Sequence, residues 1–118
     1  MPTIYEQIKN AIGGGVNPNG GNPIRLKYRI DNGIRVYWVV PYVIGKSPDP
    51  DSTTIPPEQD DRFLCYKYRG PEQNAPNGWR CFKVDDIAEV DPASNAPSTP
   101  RLDPDRQNCV VTPDPGPR

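Results

Sequence analysis

Hydrophobic and polar residues alternate with a period of about two along several stretches of the chain, and this period predicts half-buried β-strands. The two clearest stretches are residues 62–69 and 79–87. Gly70-Pro71 and Asn77-Gly78 lie between them and favour turns, so we predict an antiparallel hairpin with a long connection.

An earlier hairpin is predicted over residues 24–40. Residues 24–30 alternate apolar and basic side chains, and Asp31-Asn32-Gly33 is a strong turn signal. The return strand runs over residues 34–40, with Pro41 marking a bulge or a sheet edge. We expect a third short strand to begin at residues 43–45.

The pattern changes to a helical one near the start of the chain. Residues 3–12 are predicted to form a short amphipathic helix, with Thr3 as N-cap and Glu6 in the capping-box position. The glycines at 13–15 end it. The shared apolar face consists of Ile4, Ile8, Ala11 and Ile12.

Three segments show no periodicity. Residues 16–23 are a polar loop, residues 46–61 are expected to be a mobile insertion, and residues 92–118 a largely disordered proline-rich tail in which residues 109–111 could dock locally. Residues 87–90 close the sheet. We therefore predict a mainly β domain at residues 1–91, with one N-terminal helix and about five strands in a small curved sheet or barrel.

Composition limits both the core and the location. The 118 residues include 17 prolines and only 34% hydrophobic residues, and the net charge of −1 excludes the broad positive field of a protein that coats nucleic acid. The sequence contains neither a membrane-spanning apolar run nor a secretory signal at its start. We expect a cytoplasmic protein with reduced cysteines: Cys65 and Cys81 in the core, although they could face each other across the hairpin, and Cys109 free.

Catalytic chemistry finds little support in this sequence. The chain has no histidine, the usual proton carrier and metal ligand near neutral pH. Adjacent carboxylates such as Asp60-Asp61 and Asp85-Asp86 point to opposite faces of a strand and cannot jointly hold a metal. We predict a non-enzymatic protein without a cofactor or metal site.

The order of these segments resembles the bacterial WYL domain. The resemblance covers residues 3–91 and rests on Ile-Arg-Leu-Lys-Tyr-Arg, Asp-Asn-Gly, Val-Val-Pro, Arg-Phe-Leu-Cys-Tyr and Trp-Arg-Cys-Phe-Lys-Val-Asp-Asp-Ile. It implies an Sm-like five-stranded β-barrel packed under one helix, and a regulatory module that binds nucleic acid or a nucleotide-like ligand. Such domains normally follow a DNA-binding winged helix-turn-helix, so this chain resembles the regulatory module standing alone.

The resemblance also implies ligand positions, residue by residue. Family tyrosine and basic positions in the first strand match Tyr28 and Arg29, and the arginine of the last strand matches Arg80. The chain departs from the family where its name-giving triplet is Arg62, Phe63 and Leu64, and where Asp86 replaces an arginine; Phe82 and Lys83 keep the pattern. The lost tyrosine hydroxyl and arginine bear on the identity of the ligand.

Arginine side chains suit anion binding because a guanidinium grips a phosphate through two hydrogen bonds. Arg80 is the first candidate, although a solvent-facing arginine on an exposed strand is an equal alternative. Arg25, Lys27 and Arg29 form a basic stripe with a spacing of about 7 Å, which is either a phosphate track or an ordinary charged outer face. The further candidates are Arg62, Lys83, Tyr28, Tyr66 and Trp79; most aromatics belong to the core, with Trp79 and Tyr37 the better candidates for exposure.

Three functions follow from these candidates. The first is non-enzymatic binding of a nucleotide-type anion, for sensing or sequestration; sequestration would suit a phage or mobile-element protein that opposes host nucleotide signalling. The second is binding of single-stranded nucleic acid, or an accessory role in transcription regulation. The third is a protein-interaction adaptor that uses a strand edge or the proline-rich tail. Open edges also favour a homodimer or a higher homo-oligomer.

Overall fold

The computed structural model describes residues 2–71, 76–103 and 109–115, and it is mainly β with one α-helix. Its strands pair in antiparallel fashion into one sheet. The elements are α1 Ile4–Ile12, β1 Ile24–Ile30, β2 Gly33–Pro48, β3 Gln59–Arg69, β4 Gly78–Lys83, a 3-10 turn Val84–Asp86, β5 Ile87–Pro92 and β6 Thr112–Pro113.

Helix α1 begins and ends where the sequence predicts. The Thr3 hydroxyl oxygen accepts a hydrogen bond from the backbone N–H of Glu6 at 3.1 Å, which satisfies one of the free donors of the first turn. Gly13 ends the helix in the left-handed conformation, with φ 87°. Ile8 and Ile12 are buried against the sheet. Within the described residues, no helix is long and apolar enough to cross a membrane.

The sheet has the strand order β4-β3-β2-β1-β5, with β6 pairing with β2 away from this path. The predicted turn at Asp31-Asn32-Gly33 joins β1 to β2 and sets a regular register from Ile30–Gly33 to Ile24–Val39. In the described part of the chain β4 and β5 do not pair with each other, so the sheet is open. The mainly β class with one helix is therefore confirmed, whereas closure into a barrel is not.

Strand β2 is much longer than predicted. It continues through Pro41, where the register with β3 shifts between Pro41 and Val43, so the predicted bulge is present but does not end the strand. The expected separate strand at residues 43–45 is part of β2. Residues 46–48 and 59–61 also pair with each other, which restricts the predicted insertion at 46–61 to residues 49–58.

The predicted strand over residues 79–87 is two strands. A 3-10 turn at Val84–Asp86 interrupts it. As a result β4 pairs with β3 at one edge of the sheet, and β5 pairs with β1 at the opposite edge. Val84 and Ile87 are both buried on the helix side of the sheet. Apolar residues continue across the 3-10 turn, so the alternation of apolar and polar positions in the sequence does not reveal it.

The central strands are covered on both faces. The helix-side core contains Ile8, Ile12, Leu26, Val39, Ile44, Phe63 and Phe82, among others. The opposite face holds a second cluster formed by Val40, Tyr42, Val43, Leu64, Leu102 and Val110, with Tyr66, Tyr68 and Trp79 packed against it. Leu102 and Val110 belong to the C-terminal tail, so the tail supplies the cover for this second face.

The described part of the tail packs against the sheet instead of remaining detached from it. Leu102 and Val110 are buried, so residues 109–111 dock locally through Val110, as expected, while the largely disordered character of the rest of the tail stays a prediction. Thr112–Pro113 pair with β2 as strand β6. The Asp114 carboxylate accepts a hydrogen bond from Tyr5 at 2.6 Å and lies 3.1 Å from Lys9 Nζ.

The cysteines differ from the expectation. Cys81 of β4 and Cys109 of the tail form a disulfide with a Cα–Cα distance of 6.3 Å, so the expectation that both are reduced thiols is wrong. Cys65 is the free thiol, and its burial in the helix-side core raises its pKa. In the β3–β4 register Cys81 lies opposite Leu64, so alternation directs it away from Cys65 and toward the tail-covered face.

We predict that Cys81→Ser lowers the free energy of unfolding by about 2–4 kcal/mol, because the bond closes a long chain loop and so restricts the unfolded state. Urea unfolding of the oxidised protein, followed by tryptophan fluorescence, measures this change. A reductant should destabilise the wild type but leave Cys81→Ser unchanged. Titration of three free thiols in the denatured, unreduced wild type would contradict the bond.

Candidate ligand-binding site

The basic stripe of β1 lies along one face, as predicted, but each member has a partner. Arg25 is 2.9 Å from Asp91, and Lys27 is 3.1 Å from Glu89, both acidic residues belonging to the neighbouring strand β5. Arg29 donates to the backbone carbonyl of Asp85 at 3.2 Å. The acidic positions of β5 therefore offset the charge along the stripe.

Arg62 and Lys83 meet around one carboxylate. Asp60 accepts a hydrogen bond from Arg62 at 3.2 Å and lies 3.7 Å from Lys83 Nζ. The Nε atom of Arg62 is buried without a hydrogen-bond partner among the described residues. The bulge that Lys83 would need in order to join Arg80 does not occur, because β3 and β4 pair in one regular register.

The three candidate aromatics pack inside the fold. Tyr28 lies on the helix side with its ring centroid 4.9 Å from that of Phe82, and burial raises its pKa. Tyr66 and Trp79 pack edge to face on the tail side, with centroids 5.4 Å apart. The expected exposure of Trp79 and Tyr37 is wrong, since both are half-buried and pack on other rings; Tyr37 contacts Phe82.

Arg80 is exposed on β4, an edge strand of the sheet. Its guanidinium donates to the backbone carbonyl of Trp79 at 2.9 Å, and none of the described carboxylates lies within ion-pair distance of it. Arg80 is therefore an available cation, but the other predicted ligand residues do not gather around it. The nine candidates lie in separate places and do not form one concavity.

A different set of residues does form a concavity, of about 600 Å³. The register of three strands places Asp91, Arg25 and Trp38 side by side, and the β2–β3 register adds Arg69 to this row. We call this row and the residues around it the Arg25–Arg69 concavity. It is lined by Arg25, Trp38, Tyr68, Arg69, Asp91, Pro92, Ala93, Ser94 and Asn95.

Arg69 reaches this face because of an irregularity in β3. The register passes from Trp38–Arg69 to Val39–Lys67, which leaves Tyr68 as an extra, unpaired residue. The bulge brings Tyr68 and Arg69, which strict alternation would place on opposite faces, to the same concavity. The guanidinium of Arg69 lies 4.4 Å from the centre of the Trp38 ring, a cation–π contact.

Tyr68 contributes an unsatisfied polar atom to the wall. Its hydroxyl is inaccessible to solvent and has no hydrogen-bond partner among the described residues. Burial raises the pKa of this tyrosine, so it remains a neutral donor. Buried hydroxyls normally have a partner, so this donor is a group that a ligand could satisfy if the Tyr68 ring turned toward the cavity.

The segment after β5 forms the remaining wall. The backbone N–H of Ala93 donates to the carbonyl of Pro23 at 3.0 Å, which fixes the chain where it leaves the strand. Asn95 then adopts φ 60°, a left-handed conformation that asparagine tolerates better than most residues. The side chains of Ser94 and Asn95 add neutral hydrogen-bonding groups to the lining.

The lining of the concavity contains charges of both signs, with a net positive charge. Two arginines face one carboxylate, and the Arg25 guanidinium holds the pKa of the Asp91 carboxyl below its usual range. Asp91 is therefore ionised at neutral pH, and it pairs with Arg25. Arg69 lies over Trp38 and has no carboxylate within ion-pair distance among the described residues. This arrangement can hold one anionic group at Arg69 and a hydrogen-bond donor at Asp91.

Other sites suit an anion less well. A second cavity of about 320 Å³ between α1 and β5 is lined by mainly apolar and amide residues and contains no lysine or arginine. The described residues contain no cluster of histidine, cysteine, aspartate or glutamate that could hold a metal ion. Of these two cavities, the Arg25–Arg69 concavity is therefore the better candidate for an anion.

Comparison with known proteins finds no family model, no curated protein and no solved structure that matches this chain. The resemblance to the WYL domain rests on the residues quoted above and stays a prediction.

We predict that an NMR titration of the carboxyl carbons will show Asp91 ionising below the usual range for aspartate, and that Arg25→Gln will raise this pKa. Because the pKa of Asp91 is lower in the folded state than in the unfolded state, the ionised carboxylate stabilises the fold at pH values above the unfolded-state pKa. This stabilisation is lost as the pH falls through the folded-state pKa. Lys27→Gln is the matched control and should have a smaller effect, since Lys27 acts only at a distance. Equal shifts in both variants would argue against the Arg25–Asp91 bond.

Proposed function

We propose that this protein binds a nucleotide-type anion in the Arg25–Arg69 concavity, without catalysing a reaction. The observation that supports this proposal is the convergence of two guanidinium groups, an indole ring and an unpartnered tyrosine hydroxyl on one hollow. A phosphate would bind Arg69, whose donors have no carboxylate partner in the described residues, and would draw on the charge of Arg25.

The mixed charge favours a nucleotide over a simple polyanion. Asp91 would repel a second phosphate close to Arg25, but its oxygens can accept hydrogen bonds from a ribose hydroxyl or a base amino group. The Tyr68 hydroxyl would become a donor to a further acceptor on the ligand if its ring turned toward the hollow. A molecule with one phosphate end and several hydrogen-bonding groups matches this lining best.

Single-stranded nucleic acid is a weaker candidate. Lys27 and Arg25 are engaged by carboxylates of β5, and a chain of phosphates would have to displace both ion pairs along the stripe. Binding of a long strand gains free energy from each phosphate that it neutralises, and a stripe of paired cations reduces this gain. The ligand that we propose occupies one hollow only.

The WYL-type regulatory module, an Sm-like barrel, stays part of the proposal. Its support is the order of one leading helix and five antiparallel strands, together with the residues of the resemblance. Sensing or sequestration would then be the role of this module, and a second copy could pair with an open sheet edge. An adaptor role for the tail has less support, since residues 92–95 line the hollow and residues 102 and 110 are packed into the core.

We predict that Arg69→Gln weakens binding of the preferred nucleotide at least tenfold, because a charge-assisted hydrogen bond contributes about 1.5–3 kcal/mol. Isothermal titration calorimetry against linear and cyclic nucleotides, nucleosides and inorganic phosphate measures this change. Nucleosides and phosphate alone should each bind more weakly than the nucleotide that joins them.

The matched control is Arg80→Gln, which removes an exposed guanidinium from edge strand β4, a strand that contributes no residue to the lining of the concavity. This variant should bind like the wild type. A loss with Arg80→Gln and none with Arg69→Gln would move the site to β4, and no binding of any nucleotide by the wild type would overturn the proposal.

A further inference from the structure

The loop between β2 and β3, residues 49–58, is largely exposed. All of residues 53–58 are exposed, and Ile55 has a relative exposure of 99%. This exposure leaves both the backbone and the side chains of the loop open to contact by a partner. The loop lies apart from the Arg25–Arg69 concavity, and none of its residues lines that hollow.

The loop is nevertheless held in one shape by its own hydrogen bonds. At its base the backbone N–H of Asp49 donates to the carbonyl of Glu58 at 2.8 Å, directly beyond the last pair of the β2–β3 ladder. Inside the loop the N–H of Asp51 donates to the Asp49 carboxylate at 2.9 Å. Prolines at 50, 56 and 57 restrict the backbone further.

Ser52 is the central hydrogen-bonding residue of this loop. Its hydroxyl oxygen accepts from the N–H of Glu58 at 2.9 Å and from the N–H of Thr54 at 3.3 Å. It also lies 2.9 Å from the Thr54 hydroxyl, which itself donates to the carbonyl of Pro56 at 2.9 Å. Ser52 must therefore be the donor to Thr54, and its one hydrogen and two lone pairs are all used.

These bonds connect the two sides of a single peptide bond. Ser52 precedes the peptide bond between Thr53 and Thr54, and Thr54 follows it. The hydrogen bond between the Ser52 and Thr54 side-chain hydroxyls therefore bridges this peptide bond. The Thr53 side chain is exposed and makes no hydrogen bond of its own in the described structure. The loop thus presents one free side chain between two restrained neighbours.

We propose that residues 49–58 form a substrate-like loop that inhibits a serine endopeptidase, with Thr53 in the enzyme's specificity pocket. An endopeptidase binds an exposed stretch of backbone and a side chain that enters its pocket, and this loop supplies both. Flexible exposed loops are normally cut, whereas a loop already held in its bound shape loses little entropy on binding and binds tightly. A small, β-branched threonine suits a pocket of the elastase type.

The same bonds would make cleavage reversible. The peptidase serine hydroxyl attacks the Thr53 carbonyl, forms an ester, and transfers its proton through the enzyme's base to the departing amino group of Thr54. The Thr54 nitrogen donates to the Ser52 hydroxyl oxygen and the two hydroxyls bond to each other, so the amino group stays beside the ester. The β2–β3 ladder holds both halves of the chain. Attack of the amine on the ester restores the peptide bond and releases the serine hydroxyl, so the loop blocks the enzyme without being consumed.

The test is inhibition of elastase-type, trypsin-type and chymotrypsin-type peptidases, assayed with small chromogenic substrates. We expect the wild type to inhibit the elastase type competitively and Thr53→Lys to transfer inhibition to the trypsin type, because the exchanged side chain is exposed and the rest of the loop is unchanged. Ser52→Ala should raise the inhibition constant about tenfold or more and speed cleavage between residues 53 and 54. Ser98→Ala, an exposed exchange of the same kind outside the loop, should change neither.

Folding of each variant is checked by its thermal unfolding, and nucleotide binding should be the same in all of them. Inhibition that Thr53→Lys leaves unchanged would place the contact elsewhere and overturn the proposal. It would equally be overturned if neither the wild type nor Thr53→Lys inhibited its peptidase, or if folded Thr53→Lys were cut at the rate of an unstructured peptide.

Discussion

The fold depends on the burial of both faces of its central strands. In β2 and β3, Val39 and Phe63 face the helix while Val40 and Leu64 face the opposite side, and all four are buried. A nine-residue helix can cover one face only. The second face needs another cover, since exposed aliphatic and aromatic groups would cost roughly 25 cal/mol for each Å² left in water. The tail supplies that cover, and its disulfide, its short strand and its contacts with α1 fix it at three separate points.

This requirement explains why a segment rich in proline is docked at all. Apart from Leu102 and Val110 the tail offers little apolar surface, and its composition is typical of disordered chains. Its order comes from the sheet, which presents Tyr42, whose hydroxyl lies 2.6 Å from that of Thr99 and donates to the carbonyl of Pro100. Local composition therefore does not decide the state of the tail. The unpaired apolar face of the sheet decides it, and that face is visible only once strand register is known.

Local signals predicted the elements well and the long-range pairings poorly. The Thr3 cap, Gly13 and the turn before Gly33 each act within a few residues, and each appears at its predicted position. The bond between Cys81 and Cys109 joins residues 28 apart, and the salt bridges of β1 depend on β5 lying next to it. Strand order of this kind follows from packing of the whole chain. A stripe of alternating cations therefore could not reveal that Asp91 and Glu89 would lie beside it.

The candidate site shows the same limit in a sharper form. Arg25 was among the predicted ligand residues, but Arg69 was not, because it stands at the end of a strand where alternation directs it away from Arg25. The extra residue Tyr68 turns the Arg69 side chain to the face of Arg25. Strand β3 contains no glycine or proline from which this bulge could be predicted. The same irregularity buries the Tyr68 hydroxyl without a partner and sets a guanidinium over Trp38. One local departure from the strand period thus creates both the cation and the unsatisfied donor of the hollow, and a ligand that binds both would stabilise the bulge itself.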